Sequence, residues 1–133
     1  MPGDDSNDPL EGLYVDGDEF DRERLFNALQ GIIGIDRETG NPVFQSGYTE
    51  LDGRGKFTAQ LLYRVAADAL DELEDEDLGA PASKFSDPAG VSDRSINNYG
   101  EELKFVHHDE EKGGYYIPAF AIEEAIEYLA ESD

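Results

Sequence analysis

Between residues 54 and 74 the chain repeats apolar side chains at three- and four-residue intervals for more than four turns. The set is Phe57, Leu61, Leu62, Val65, Ala66, Ala69, Leu70 and Leu73. That period places them on one face of a helix, and the face must be buried against something. This is the longest element the sequence specifies, so the rest of a 133-residue chain has to be arranged around it. The alanines predict close packing against a neighbour. The end is acidic, with six of the seven residues 71–77 being Asp or Glu. Carboxylates there oppose the helix dipole, so the last turn is expected to fray unless salt screens it.

The remaining elements follow from punctuation and period. Residues 1–19 hold Pro, Gly, Asn and many acids, and are expected to form a disordered tail in which Leu13, Tyr14 and Val15 dock at most locally. Residues 20–133 are expected to form a single domain. Asp21 is placed to cap a first helix over 20–34, with Leu25, Phe26, Leu29, Ile32 and Ile33 on its apolar face and Gly34 at its end. Asp36 to Pro42 reads as a tight loop, Val43-Phe44 as a short strand or an anchor on the core, and Asp52-Gly53 as a turn. Residues 82–85 allow one short helix, interrupted by Ser86-Asp87-Pro88. Ser92 then caps a helix from Asp93 to Leu103, in which Ile96, Tyr99 and Leu103 share a face. Residues 105–117 read as a hairpin: Phe105 to His108, a turn from Asp109 to Gly114, then Tyr115 to Ile117. Pro118 stops that strand. A last helix over 119–130 carries Phe120, Ile122, Ala125, Ile126 and Leu129. The fold class expected is mainly α, within α+β.

Charge sets the second constraint. There are 32 acidic residues against 10 basic ones, a formal net charge of −22, spread along the chain rather than held in one tail. Such an imbalance accompanies disorder in many chains, but the apolar patterning argues against that here. An acidic surface, few lysines, no cysteine and no tryptophan resemble the composition of proteins from halophilic archaea. The absence of cysteine excludes disulfides, thiolate metal sites and thiol catalysis. No apolar run approaches the roughly 18 residues that a membrane span needs. A soluble, cytoplasmic protein without a membrane partner is expected.

The segment Gly90-Val91-Ser92-Asp93-Arg94-Ser95-Ile96-Asn97-Asn98-Tyr99-Gly100-Glu101-Glu102-Leu103 carries the most specific signal. A glycine makes a turn, the next residue is apolar, a serine caps the helix, and later apolar residues fix it to a core. With the preceding helices and the following hairpin, residues 54–118 resemble the winged helix-turn-helix family of archaeal and bacterial transcription regulators. The resemblance implies a winged helix-turn-helix with a small β-hairpin wing and extra flanking helices. It implies double-stranded DNA as partner, with Arg94, Asn97 and Asn98 toward bases. Ser92, Ser95, Lys84 and Lys112 would then contact phosphate. Arg suits guanine and Asn suits adenine, through paired hydrogen bonds. Two departures stand out: Ser86-Asp87-Pro88 breaks the first helix of the motif, and Glu101 and Glu102 place carboxylates on the second.

Other chemistry finds little support. Adjacent His107 and His108 point to opposite faces of a strand, so no metal site is expected. Asp16, Asp18 and Asp21 lack the glycine and distal glutamate of a calcium loop. Gly53-Arg54-Gly55-Lys56 lacks the spacing and the hydroxyl of a phosphate-binding loop, and no serine sits in a nucleophile elbow. No enzyme activity and no cofactor are expected. Tyr115 and Tyr116 are placed to stack on bases, or with one of the two buried in a wing strand. The leading expectation is a sequence-specific DNA-binding regulator working in high salt, where the Debye length falls to about 3 Å at 1 M. The alternative is a non-catalytic adaptor that binds a protein partner through the same fold. The helices over 20–34 and 119–130 complete the core or form the seam of a homodimer.

Overall fold

The computed structural model describes Leu10 and residues 21–73 and 78–131. The expected tail 1–19, Leu10 apart, and the acidic run 74–77 lie outside the described residues. Among those described, the fold is α+β, with six α-helices and two small antiparallel sheets of two strands each. In chain order these are α1 Arg22–Leu29, β1 Ile33–Ile35, β2 Pro42–Phe44, α2 Ser46–Thr49, α3 Gly53–Ala69, α4 Ala82–Ala89, α5 Asp93–Glu102, β3 His107–Asp109, β4 Gly114–Tyr116 and α6 Ile122–Glu131.

Helix α3 is the hub. Its N-terminus is capped by the Asp52 carboxylate, which accepts from the Gly55 amide at 2.8 Å. Every residue from Phe57 to Val65 is buried, so the helix is covered all round rather than on one face. Helices α1, α4, α5 and α6, strand β1 and strand β4 all pack on it. This inner position requires that its polar side chains be satisfied. Gln60 donates to the Tyr48 hydroxyl and to the Phe85 carbonyl, both at 3.1 Å. Arg64 donates to the Leu78 carbonyl at 2.9 Å. Burial pushes the Tyr48 phenol up to about 12, although the Gln60 amide pulls the other way. The phenol therefore keeps its proton and donates it to the Pro88 carbonyl at 2.7 Å.

The first helix is shorter than the period suggests. Asp21 caps it as expected, accepting from the amides of Glu23 and Arg24. It ends at Leu29, because Gly31 turns left-handed at φ +81°. Ile33 then enters β1 and pairs with Phe44, so Ile32 and Ile33 are not helical and Gly34 ends no helix. Short apolar runs satisfy helix and strand patterns alike, and here the glycine decides between them. The loop closes after Asp36 as expected but ends at residue 41, since Pro42 already belongs to β2, and Val43 and Phe44 are exposed in that strand rather than anchored on the core. Arg24 of α1 pairs with Glu123 of α6 at 2.5 Å, and both helices lie on α3.

Three side chains assigned to apolar faces are exposed instead. Phe26 is 61% exposed at the edge of α1, and Leu70 is 56% exposed because α3 stops at Ala69. Phe120 is 79% exposed, since residues 119–121 form a 3-10 turn out of register with α6. Helix α4 is longer than the expected 82–85. It runs through Ser86-Asp87-Pro88 to Ala89, so that triplet interrupts nothing. Pro88 is the last residue but one, and it gives up only the amide bond to the Lys84 carbonyl. Gly90 follows at φ +71° and closes the helix with its own amide on the Asp87 and Ser86 carbonyls.

Candidate nucleic-acid interface

The geometry between α4 and the β3–β4 hairpin is built from few residues. After Gly90 turns the chain, the Ser92 hydroxyl accepts from the Ser95 amide at 3.1 Å and starts α5. Ile96 is fully buried, Leu103 is buried just past the helix end, and Tyr99 is half-buried. The opposite face therefore points outward. Arg94, Asn97 and Glu101 follow one another at three- and four-residue steps, Asn98 stands beside Asn97, and all four are exposed. Asp93 is exposed beside them.

The hairpin is tied to this helix. Tyr115 of β4 donates its phenol proton to Asn97 Oδ1 at 2.6 Å. Its ring lies on Gly100, where an added Cβ would come within 2.5 Å of Tyr115 Cε1. Ala80, just before α4, pairs with Tyr115 in both directions: the Tyr115 amide donates to the Ala80 carbonyl at 2.8 Å, and the Ala80 amide donates back at 3.1 Å. Burial, and then the Glu101 carboxylate, raise the Tyr115 phenol above its ordinary value.

The expected site residues separate into groups. Arg94, Asn97 and Asn98 share the exposed stripe of α5. Lys84 is exposed on α4, which packs against α5. Lys112 is exposed in the hairpin turn, with its ammonium 5.7 Å from the Tyr116 ring centre. Ser92 and Ser95 are engaged with each other, the Ser92 hydroxyl lying 3.1 Å from that of Ser95 as well as capping the helix. Of the two carboxylates noted on this helix, Glu102 is held by Arg54 of α3 through two hydrogen bonds of 2.7 and 2.9 Å. That contact lowers the Glu102 carboxyl below its ordinary range. Glu101 remains on the outward stripe, and Asp87, Glu110 and Glu111 are exposed on neighbouring elements.

Tyr115 and Tyr116 are both half-buried, rather than one buried and one free. His107 packs edge-on against Phe120 at 5.5 Å, and His108 is exposed against Tyr115. Among the described residues no group of three metal-ligating side chains comes together. No helix among them is long and apolar enough to cross a membrane.

The sequence reading missed Tyr115 as a brace. The spacing from Gly100 to Tyr115 carries no local period, and only the hairpin's docking brings the two together. It also missed a cleft of about 450 Å³ between α1, β1 and α3. Leu25, Leu29, Ile33 and Tyr63 line it, and the exposed Phe26 and Leu70 border it. No family model matches this chain, and neither a curated protein nor a solved structure does.

Proposed function

We propose that residues 54–118 form a winged helix-turn-helix, and that the chain is a sequence-specific double-stranded-DNA-binding protein acting as a transcriptional regulator in high salt. The observation that carries this reading is the outward stripe of α5, where Arg94, Asn97 and Asn98 stand on a helix whose other face is buried. These side-chain types read base edges in the major groove. The pairing of Ala80 with Tyr115 supports the fold assignment, because it sets the segment before α4 against the hairpin.

The exposed acids on and around this face oppose a phosphate backbone in dilute buffer. In the brine of a salt-loving archaeon they do so only at contact distance, because the Debye length is about 3 Å at 1 M salt. Counterion release contributes little there, so affinity would come from direct hydrogen bonds and apolar contact. Fluorescence anisotropy with mixed genomic fragments in about 2 M KCl, where screening is at its ~3 Å limit or shorter, tests the reading. Saturable binding lost in the Arg94→Ala/Asn97→Ala variant, with folding intact, is the expected result. No binding by the folded wild type would overturn it.

A second reading, a protein-binding adaptor of the same fold, is favoured by the apolar cleft. Phe26 and Leu70 stand exposed beside it in a chain of net charge −22. Under that reading Phe26→Ser abolishes capture of a protein partner, and the Arg94→Ala/Asn97→Ala variant retains it.

A further inference from the structure

An asparagine on a reading helix is ambiguous on its own. Its amide can flip, presenting oxygen and nitrogen in either order, and so it fits more than one base edge. Asn97 has one neighbour that favours one of the two orders, the Tyr115 phenol, which donates to its oxygen. The Tyr115 hydroxyl lies 2.6 Å from Asn97 Oδ1. A phenol placed to donate to the oxygen turns the NH2 group away from itself.

Tyr115 is unusually well fixed for this task. Its backbone pairs with Ala80 through both its amide and its carbonyl. Its ring stands edge-on to the buried Phe57 at 5.8 Å and against His108 at 4.8 Å. Gly100 leaves the space in which the ring lies against α5. The raised phenol pKa keeps the group a proton donor across the neutral range.

Resting on the DNA-binding reading above, we propose that Tyr115 is the positioning residue of the reading face. It holds the Asn97 amide oxygen toward the hairpin and the NH2 outward, so that Asn97 selects guanine rather than adenine. The chemistry follows from the base edges. Guanine offers two acceptors in the major groove, N7 and O6, which suit an outward NH2. Adenine offers one acceptor and one donor, and its N6 donor would have to share an oxygen already bonded to the phenol.

The test is selection from a randomised duplex pool in 2 M KCl, with wild type, Tyr115→Phe and Asn97→Ala in parallel. Tyr115→Phe keeps the ring and its packing, and thermal unfolding in the same buffer checks that it folds. The wild type is expected to select guanine at one position, the position that Asn97→Ala relaxes. In Tyr115→Phe the ratio of affinity for guanine over adenine there is expected to fall about tenfold, while overall affinity changes little. A merely structural role for Tyr115 would lower affinity for both duplexes and leave the ratio alone. An unchanged ratio, or adenine at the position that Asn97→Ala relaxes, overturns the inference and leaves DNA binding standing. Enrichment of no sequence by the folded wild type overturns the DNA-binding reading and this inference with it.

Discussion

The described residues contain two hairpins of the same size, held to the rest of the chain by different partners. Strands β1 and β2 pair over three residues each, as do β3 and β4. The first hairpin closes through a loop held both by its own bonds and by α3, whose Tyr63 hydroxyl donates to the Gly40 carbonyl. The Asp36 carboxylate accepts from the amides of Glu38 and Thr39, and the Asn41 and Asp36 backbones bond to each other. The second has a tight turn, Glu110–Lys112, and depends on distant partners: Ala80, Gly100, Phe57 and Asn97. The first leaves Val43 and Phe44 partly exposed. Equal secondary structure thus hides different tertiary partners: the first hairpin is held to α3 and Tyr48, and the second to Ala80 and to the helix that carries the exposed stripe.

The largest contrast lies between an α3 ring that the second hairpin packs against and a ring carried by the first hairpin itself. Phe57 is fully buried and meets the rings of Phe85, Tyr99 and Tyr115. Phe57→Ala is expected to cost about 3–5 kcal/mol, and Phe44→Ala in the first hairpin about 1 kcal/mol. Urea unfolding in 2 M KCl measures both.

The glycines give the next contrast. Gly114 of β4 has φ +133°, and a Cβ there would sit 2.4 Å from the Ala80 carbonyl oxygen, a backbone atom that cannot step aside. Gly34 of β1 would place its Cβ 3.3 Å from the end of the exposed Gln45 side chain. Gly114→Ala is expected to destabilise by about 3 kcal/mol through strain and overlap together, and Gly34→Ala by less than about 0.5 kcal/mol. Equal costs would mean that the second hairpin is not braced against Ala80.

Loss of the phenol hydroxyl in Tyr115→Phe is a smaller step, about 1 kcal/mol for one hydrogen bond. Amide hydrogen exchange should speed in β3–β4 and stay unchanged in β1–β2.

The smallest effect is a titration. The two backbone amides in the first hairpin's loop lower the Asp36 carboxyl below its ordinary value near 3.8. A depressed folded-state pKa means that the contribution is present above that ordinary value. It is lost as pH falls through the lower one. A carboxyl NMR titration should show Asp36 with a midpoint below its ordinary value near 3.8, and Asp36→Asn should flatten the acid limb of stability slightly.

Much of the scaffold was legible in the sequence, because local rules and packing agree there. Asp21, Asp52-Gly53, Gly90 and Ser92 mark ends that the chain obeys, and the periods of α3, α5 and α6 place their cores. The errors fall where two patterns fit equally well or where a neighbour decides. Ile32 and Ile33 suit a helix or a strand until Gly31 is known to turn left-handed. Pro88 looked like a break, yet the Tyr48 hydroxyl bonds its carbonyl and α4 continues to Ala89. Of the candidate site, the outward stripe of α5 was visible from its period. The bond from Tyr115 to Asn97 and that from Arg54 to Glu102 were not, since they join residues 18 and 48 positions apart.

The most direct measurement is chemical-shift mapping of the backbone and side-chain amides in 2 M KCl, on addition of short duplex DNA. The account predicts that Arg94, Asn97 and Asn98 shift first, with the Asn97 side-chain NH2 among the largest changes. It predicts that β1, β2 and the α1–α3 cleft stay silent. Shifts confined to the cleft around Phe26 and Leu70, or none at all, would contradict it.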